Sequence, residues 1–516
     1  MSNQYILIHD IGTTGNKACL FSVDGELIST YYYRYDTFYP GPNMAEQRPQ
    51  DWYEAVITST RELLRKTKVE PQNIVAISWS GQMMGTIPVD RDGNLLQDKV
   101  MIWADSRAVE EAKYIIERIG GWENFYRITG AGQYIANYTI AKILWLKNNR
   151  PEIYKKTYKF LQAKDYITLR LTGAFVTDYT DAFNTGLLNI HRNEWSDELI
   201  DAIGIDRDKL PDLHESIDIA GYLRDEEARK MGLKPGIPVV VGSGDVIASA
   251  TGAGVVKKGV SYIYIGSACW TGFFSDTPVL DTKTRISSHR HVIPGKYAPH
   301  NYTYSGAVCM DWLKNIMFSL EERELIRKGG NIYKFMEDIA SKVPPGSQGL
   351  LFLPYMRGGG APHYDPLVRG AFLGMTLAHR KEHFVRAVYE GIALNTRVIF
   401  EAFERLGEKI NVIYIIGGGA LSNTWRQIFA DVLGKPVIYP KYVHEAGCLG
   451  SAVIGGIGAG VFKDFSVIEK FLKPQGVNEP NERIHERYNE IYESFKETVE
   501  KLIPVYDDVI SKIYHS

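Results

Sequence analysis

Residues 5–21 bring together the groups needed to hold a phosphate. An apolar run from Tyr5 to Ile8 reads as a buried strand ended by Asp10. Gly12-Thr13-Thr14-Gly15 then makes a tight turn, and residues 18–21 read as the returning strand. A glycine turn lets backbone N–H groups approach an anion closely, and Thr13 and Thr14 add hydroxyl donors. Asp10 is placed to hold a magnesium ion through water, and Lys17 adds a positive charge beside the turn. An ordinary glycine-rich hairpin would have the same outline. The pattern recurs, however, in residues 261–274, where Gly266-Ser267 stands as Gly12-Thr13 did. One such hairpin per half of the chain suggests a duplicated fold with a nucleotide clamped between the halves.

A proton acceptor is offered by residues 234–253. Residues 238–241 read as a buried strand, Gly242-Ser243-Gly244 turns the chain, and Asp245 opens a helix of small residues. A carboxylate at a strand C-terminus points into the crevice where α/β proteins bind ligands. Against a substrate hydroxyl it could take the proton as that oxygen attacks a γ-phosphate. Asp245 could instead merely cap the helix, but the surrounding glycines would be wasted on a cap. Gly417-Gly418-Gly419-Ala420-Leu421-Ser422-Asn423 follows a predicted strand and opens a helix, a geometry that suits an adenosine or phosphate. It lacks GxGxxG spacing, and the chain has no GxxxxGK[ST] loop.

The elements that must position these residues follow from pattern and composition. The 516 residues allow two to four domains, and 45% hydrophobic with 23% charged residues is ordinary for a globular protein. Acidic and basic residues nearly cancel, 61 against 59, so nothing favours nucleic acid or an anionic membrane as partner. No basic region precedes the short N-terminal apolar run, and no segment has the ~20 apolar residues of a spanning helix. The four cysteines are scattered and read as reduced, buried thiols of a cytoplasmic protein. Strands alternating with amphipathic helices (a helix near residues 51–65, a strand at 74–80, a helix at 140–148) predict α/β layering with mostly parallel internal strands. The boundary near 245–258 reads as a hinge, and the charged, helically spaced tail from residue 482 as an outer helix.

With these motifs on the page, the chain resembles the FGGY family of carbohydrate kinases. Residues 370–390, GAFLGMTLAHRKEHFVRAVYE, match the family's C-terminal signature in full. Residues 137–149, NYTIAKILWLKNN, follow the N-terminal signature around Lys142 and Trp145, departing only at Asn137. DxGTT (10–14), KDYITLRLTG (164–173), GSGD (242–245), SGA (305–307) and GGGALSN (417–423) fall in the family's order. The resemblance implies two actin-like, ribonuclease H-type lobes with ATP and Mg²⁺ in the cleft. It implies transfer of a γ-phosphate to a sugar or polyol, the arrangement of sugar kinases and actin-like ATPases. It divides the chain into a lobe of residues 1–247, a nucleotide lobe of 248–460 and a helical extension, 461–516, packed on the second lobe. Carried residue by residue, Asp245 stands at the catalytic base, with Asp10 and Asp245 at the metal. Thr13, Thr14 and Lys17 stand in the first phosphate loop and Gly266 and Ser267 in the second. Gly306, Gly418, Gly419, Ala420 and Asn423 lie where the nucleotide is held. Family members are often homodimers.

The acceptor is less determined. Many xylulose kinases of the family read GQMHG where this chain has Gly81-Gln82-Met83-Met84-Gly85, so Met84 replaces a histidine that reaches the sugar. Trp103-Ala104-Asp105-Ser106-Arg107 keeps the family's substrate loop, in which Asp105 could accept bonds from two hydroxyls and Trp103 could cover a sugar face. Glycerol kinases carry an Arg-Glu pair at the Met83-Met84 positions, which counts against glycerol. The expectation is a pentulose such as D-xylulose, as in xylose metabolism. A tetritol, another ketose, glycerol or gluconate stays open, as does an actin-like nucleotide-gated regulatory protein without sugar chemistry, or a dinucleotide-dependent oxidoreductase. His379 and His383, four apart, are not HExxH and read as structural. His289 and His291 read as a surface loop or lobe contact. Cys269 and Cys309 read as packing residues whose oxidation could inhibit, and Tyr31-Tyr32-Tyr33 as a hairpin face.

Overall fold

The computed structural model describes residues 3–365 and 367–514. Its two seven-stranded sheets are built on the same plan. In the first, Tyr5–Ile11 pairs antiparallel with Gly15–Ser22 and parallel with Ile74–Gly81. In the second, Val260–Ile265 pairs antiparallel with Cys269–Phe273 and parallel with Val412–Ile416. Each hairpin therefore has its tight turn at the end where its parallel neighbour also terminates. The duplication expected from two weakly similar segments is a duplication of topology. Both sheets are mixed, because each continues beyond its hairpin as an antiparallel meander, to Leu27–Arg34 in one and Tyr297–Thr303 in the other.

The first strand is buried along nearly its whole length and runs on to Ile11, so Asp10 lies within it rather than ending it. Lys17 is its cross-strand partner. The tyrosines at 31–33 do lie on a strand, Leu27–Arg34, whose outer face is partly exposed.

Two helices lie between the sheets. Asp245–Gly252 is short and made of small residues; Ala446–Gly458 is almost entirely buried. A Cβ on Gly252 would overlap the Ala446 carbonyl, and one on Gly450 would overlap the Ala248 carbonyl. The backbones thus approach as closely as glycine allows. Ala446–Gly458 also covers the first sheet, where Gly455 faces Ser78 and the Ser451 hydroxyl donates to the Trp79 carbonyl at 2.9 Å. A helix from the second half of the chain is thus packed on the first half's sheet.

The end of the chain departs from expectation in two respects. Residues after 460 are not all helical, since Pro474–Asn478 adds an edge strand to the second sheet beside Val437–Pro440. Nor do they pack only on the second lobe: Phe471 lies against Gly25 and Phe462, and Lys473 pairs with Glu26 of the first. The long helix Glu482–Tyr514 does pack on the second lobe, burying Tyr488, Tyr492, Phe495 and Val499. Among the described residues no helix is long and apolar enough to cross a membrane.

Candidate active site

The turn at Gly12–Gly15 is held from behind. Gly12 N–H donates to the Gly15 carbonyl at 3.1 Å. The Tyr35 hydroxyl donates to the Gly12 carbonyl, and the Gln47 amide to the Thr13 carbonyl. Gln47 is itself fixed by Trp52 Nε1 at 3.1 Å and Gln82 Nε2 at 2.7 Å. Because N–H and C=O of a peptide point oppositely, drawing these carbonyls inward turns the N–H groups of Thr13 and Thr14 toward the cleft. Gln82, expected to touch the acceptor, is buried and spends its amide nitrogen on this support. The Thr13 hydroxyl accepts from Trp103 Nε1 at 2.8 Å, and Thr14 Oγ1 lies 2.6 Å from the Tyr32 hydroxyl.

Across the hairpin, Lys17 Nζ donates to the His444 carbonyl at 2.7 Å, joining the first lobe to the second. Burial works against its charge, but Cys448, Asp10, Cys19 and Glu445 around it carry its pKa upward. It stays a cation beside the turn.

Asp245 is the first residue of its helix, and its Oδ1 accepts the Val246 N–H at 2.8 Å. Burial, joined by the charge of Asp10, raises its pKa to about 7. Burial likewise raises Asp10, against the opposing pull of Lys17. A carboxylate titrating near neutrality is matched to general-base work. A second carboxylate, Asp10, whose charge adds to the raised pKa of Asp245, also suits a hard cation, since Mg²⁺ takes one or two carboxylates, several waters and substrate phosphates. The pair Asp10 and Asp245 is therefore a chemically suitable seat for Mg²⁺ carried by a nucleotide.

The second lobe closes the cleft with aromatic residues that sequence reading missed. Tyr264 has its pKa raised by burial and then by Asp10 and Asp245. Its ring stacks on Trp270 with centroids 3.8 Å apart. Trp270 Nε1 donates to the Tyr262 hydroxyl at 3.0 Å, which lies 2.8 Å from His300 Nε2. His300 Nδ1 must donate to the Ala298 carbonyl at 2.6 Å, so Nε2 is an acceptor and the Tyr262 O–H donates to it. His289 and His291 belong to this interior, not to a surface loop: both are fully buried, and His289 bonds Tyr302 and Asn184. Burial without an acidic partner keeps them neutral. The aromatic alternation in SYIYIGSACW was the available signal.

The nucleotide candidates gather at the ends of two parallel strands. Gly306 donates to the Ser267 carbonyl at 2.9 Å, and a Cβ there would sit 2.6 Å from the Ala268 backbone. Gly417, at φ 85°, lies against Ile265, as does Gly419. The turns at 266–268, 305–307 and 417–421 thus form one glycine-lined shelf, with Ser267, Gly418 and Asn423 exposed on it. Asn423 Oδ1 is oriented by Arg426 at 3.0 Å and Asn478 at 3.2 Å. Ala420 departs from expectation: it has no exposed surface and serves the turn from within, its carbonyl accepting from Arg426 at 2.6 Å.

On the acceptor side Met83 and Met84 are each 6% exposed. Met83 packs on Gly244, immediately before Asp245, and its sulfur accepts from Asn184 at 3.0 Å. Met84 is held at φ 61°, rare for a side chain of its size. Trp103 is 45% exposed over the cleft. Asp105 does not fit its expected role: it is fully buried, and its oxygens are taken by Arg107 (2.6–3.0 Å) and the Ala45 N–H (2.8 Å). It anchors the loop rather than reaching a substrate. His383 accepts the Arg380 N–H at a helix start, the structural role anticipated for it.

Comparison with known proteins agrees with this geometry. Residues 5–252 match the N-terminal domain of the FGGY family of carbohydrate kinases, and residues 261–459 its C-terminal domain. The chain is 31% identical to the xylulose kinase of Bacillus subtilis (strain 168), over 96% of each chain. It is 33% identical to the gluconokinase of the same strain, over 91% of this chain and 90% of that one. The ligand-bound xylulose kinase structure from Lactobacillus acidophilus superposes with a TM-score of 0.89 at 27% identity, covering 98% of this chain and all of that one.

Proposed function

Because the chain belongs to the FGGY family of carbohydrate kinases, and so is an ATP-dependent phosphotransferase, we propose that it phosphorylates an uncharged ketose or polyol, D-xylulose first among them. The observation that carries the choice is the composition of the acceptor wall. Met83, Met84, Trp103 and Asp245 include no cation and bring one carboxylate. Gluconate would place its own carboxylate against that anionic, apolar wall without a partner, and buried unpaired charge is costly.

Asp245 accepts the proton of the attacking hydroxyl, and its raised pKa leaves it able to hold that proton near neutral pH. The N–H groups and hydroxyls of Thr13 and Thr14, with Lys17, hold phosphate oxygens from one lobe; Gly266 and Ser267 hold them from the other. Gly306, Gly418, Gly419 and Asn423 seat the rest of the nucleotide. Asp10 and Asp245 would hold Mg²⁺, which would supply charge neutralisation when bound with ATP. Trp103 and the aromatic wall of Tyr264 and Trp270 keep water from the transferring group.

Gluconate is the second reading, favoured by a gluconokinase relative as similar to this chain as the xylulose kinase. Phosphate transfer from ATP and Mg²⁺ separates them across a panel of D-xylulose, L-xylulose, D-ribulose, L-ribulose, erythritol, glycerol and gluconate. Selective turnover of D-xylulose is expected, and preference for gluconate overturns the uncharged-acceptor reading.

A further inference from the structure

Lys142 lies outside every role assigned so far, yet it is one of the most enclosed polar groups in the first lobe. It is fully buried in the helix Thr139–Asn149. Its Nζ donates to two backbone carbonyls, Met84 at 2.8 Å and Ile102 at 2.7 Å, and forms no ion pair shown in the structure. Those carbonyls belong to the two separate loops that carry Met83-Met84 and Trp103. Burying an amine to satisfy two neutral carbonyls is an expensive way to fill a core position that leucine or methionine would fill. The neighbouring turn of the helix repeats the contact. The Thr139 hydroxyl donates to the Gly85 carbonyl at 2.9 Å and is itself bonded by Gln162 at 3.2 Å. One turn further along, Trp145 lies under Arg107, 5.3 Å from the guanidinium to the ring, and Arg107 holds the loop through Asp105 and Glu46. One helix face therefore grips consecutive carbonyls at Met84 and Gly85 and the base of the Trp103 loop.

The grip has a specific object. Met84 is held at φ 61°, a conformation that costs a large side chain free energy and persists only where the surroundings enforce it. Gly85, next to it, has little room: a Cβ would lie 3.3 Å from Ile87 and 3.6 Å from Gln162. Trp103 is exposed, and its ring is held by the bond to Thr13 at one end and by the backbone at Ile102 at the other.

We propose that Lys142, seconded by Thr139, is a positioning residue for the acceptor: it ties the Met83-Met84 loop to the Trp103 loop and sets the width of the acceptor pocket without touching the substrate. The inference rests on the acceptor side assigned under the proposed function. Lys142 determines affinity for the acceptor more than for ATP: the first phosphate turn is braced by Tyr35 and Gln47, and meets the loops that Lys142 ties through Gln82 and the Trp103–Thr13 bond.

The test compares Lys142→Met, which keeps the length and loses both bonds, and Thr139→Val, which loses the bonds to Gly85 and Gln162 but keeps those of Lys142, with the unaltered protein. Steady-state kinetics use the acceptor from the panel that the unaltered protein turns over best. In Lys142→Met the acceptor KM rises about tenfold or more while the ATP KM stays within about twofold, and Thr139→Val shifts the acceptor KM in the same direction by less. Hydrogen exchange, which needs no substrate, rises at residues 82–86 and 101–106 in both variants and is unchanged in Ile74–Gly81. Equal change in both KM values, or a fall in kcat alone, overturns the proposal. So does unaltered exchange at both loops. Should Lys142→Met not fold, Thr139→Val decides by the same two readouts. If no acceptor is turned over by the unaltered protein, the functional reading fails, and the exchange measurement still decides the role of Lys142.

Discussion

Trp103 Nε1 donates a 2.8 Å hydrogen bond to Thr13 Oγ1, so the residue poised over the acceptor is bonded to the turn poised for phosphate. Accepting that bond leaves the Thr13 hydroxyl its own proton to donate, so the same oxygen can serve a phosphate while it holds Trp103. Acceptor and nucleotide are thereby linked through one bond.

Trp103→Phe keeps the ring face and removes the N–H. It is expected to raise the acceptor KM several-fold and to increase ATP hydrolysis in the absence of acceptor, because Thr13 and water are no longer screened by a bonded indole. Measuring ADP release with and without acceptor checks this. Unchanged coupling would separate the two sites.

The pH dependence follows from Asp245. The base must be ionised, and burial with Asp10 nearby places its pKa at about 7. With the acceptor limiting, kcat/KM should fall as pH drops through that region, with a slope of one proton. The same shift bears on stability. A carboxylate whose folded pKa is raised favours folding below its unfolded pKa of 3.8, and that contribution is lost as pH rises through about 7. Asp245→Asn should therefore melt higher than the unaltered protein at pH 8, with the gap narrowing at pH 5.5. A melting difference independent of pH would place the strain elsewhere.

Gly306→Ala tests the nucleotide shelf. A Cβ 2.6 Å from the Ala268 backbone and 2.8 Å from the Gly266 carbonyl must push the second phosphate turn outward. The ATP KM is expected to rise about tenfold or more, with the acceptor KM little changed.

Mild peroxide should leave activity intact. Cys269 and Cys309 are 2% and 0% exposed, and burial pushes both thiols up to about 12, so little reactive thiolate is present. Rapid inactivation would revive the alternative that one of them is a redox-sensitive position.

Much of the fold around the candidate site was legible because it depends on local patterns. Gly12–Gly15, Gly266–Ser267 and Gly242–Asp245 are turns whose conformation follows from neighbouring residue types, and the strand Val412–Ile416 is one apolar run. What escaped depends on contacts between distant segments. Asp105 looks like a sugar ligand until Arg107 and Ala45 are seen to occupy it. His289 sits in a polar stretch, SSHRH, that leaves surface loop and lobe contact both open, because nothing local reveals Asn184 of the first lobe and Tyr302 waiting to bond it. Tyr264 has the apolar spacing of a core strand residue, and only the opposing lobe makes it a wall of the cleft. Residues 461–473 pack on the first lobe through Phe471 and Gly25, a pairing with no periodic signature.

The most direct test of the central claim is single-turnover phosphate transfer by Asp245→Asn, with ATP affinity measured separately. Transfer to D-xylulose at least ~10²-fold slower than in the unaltered protein, with ATP still bound, is the expected result. Near-normal transfer would remove Asp245 from the role of base.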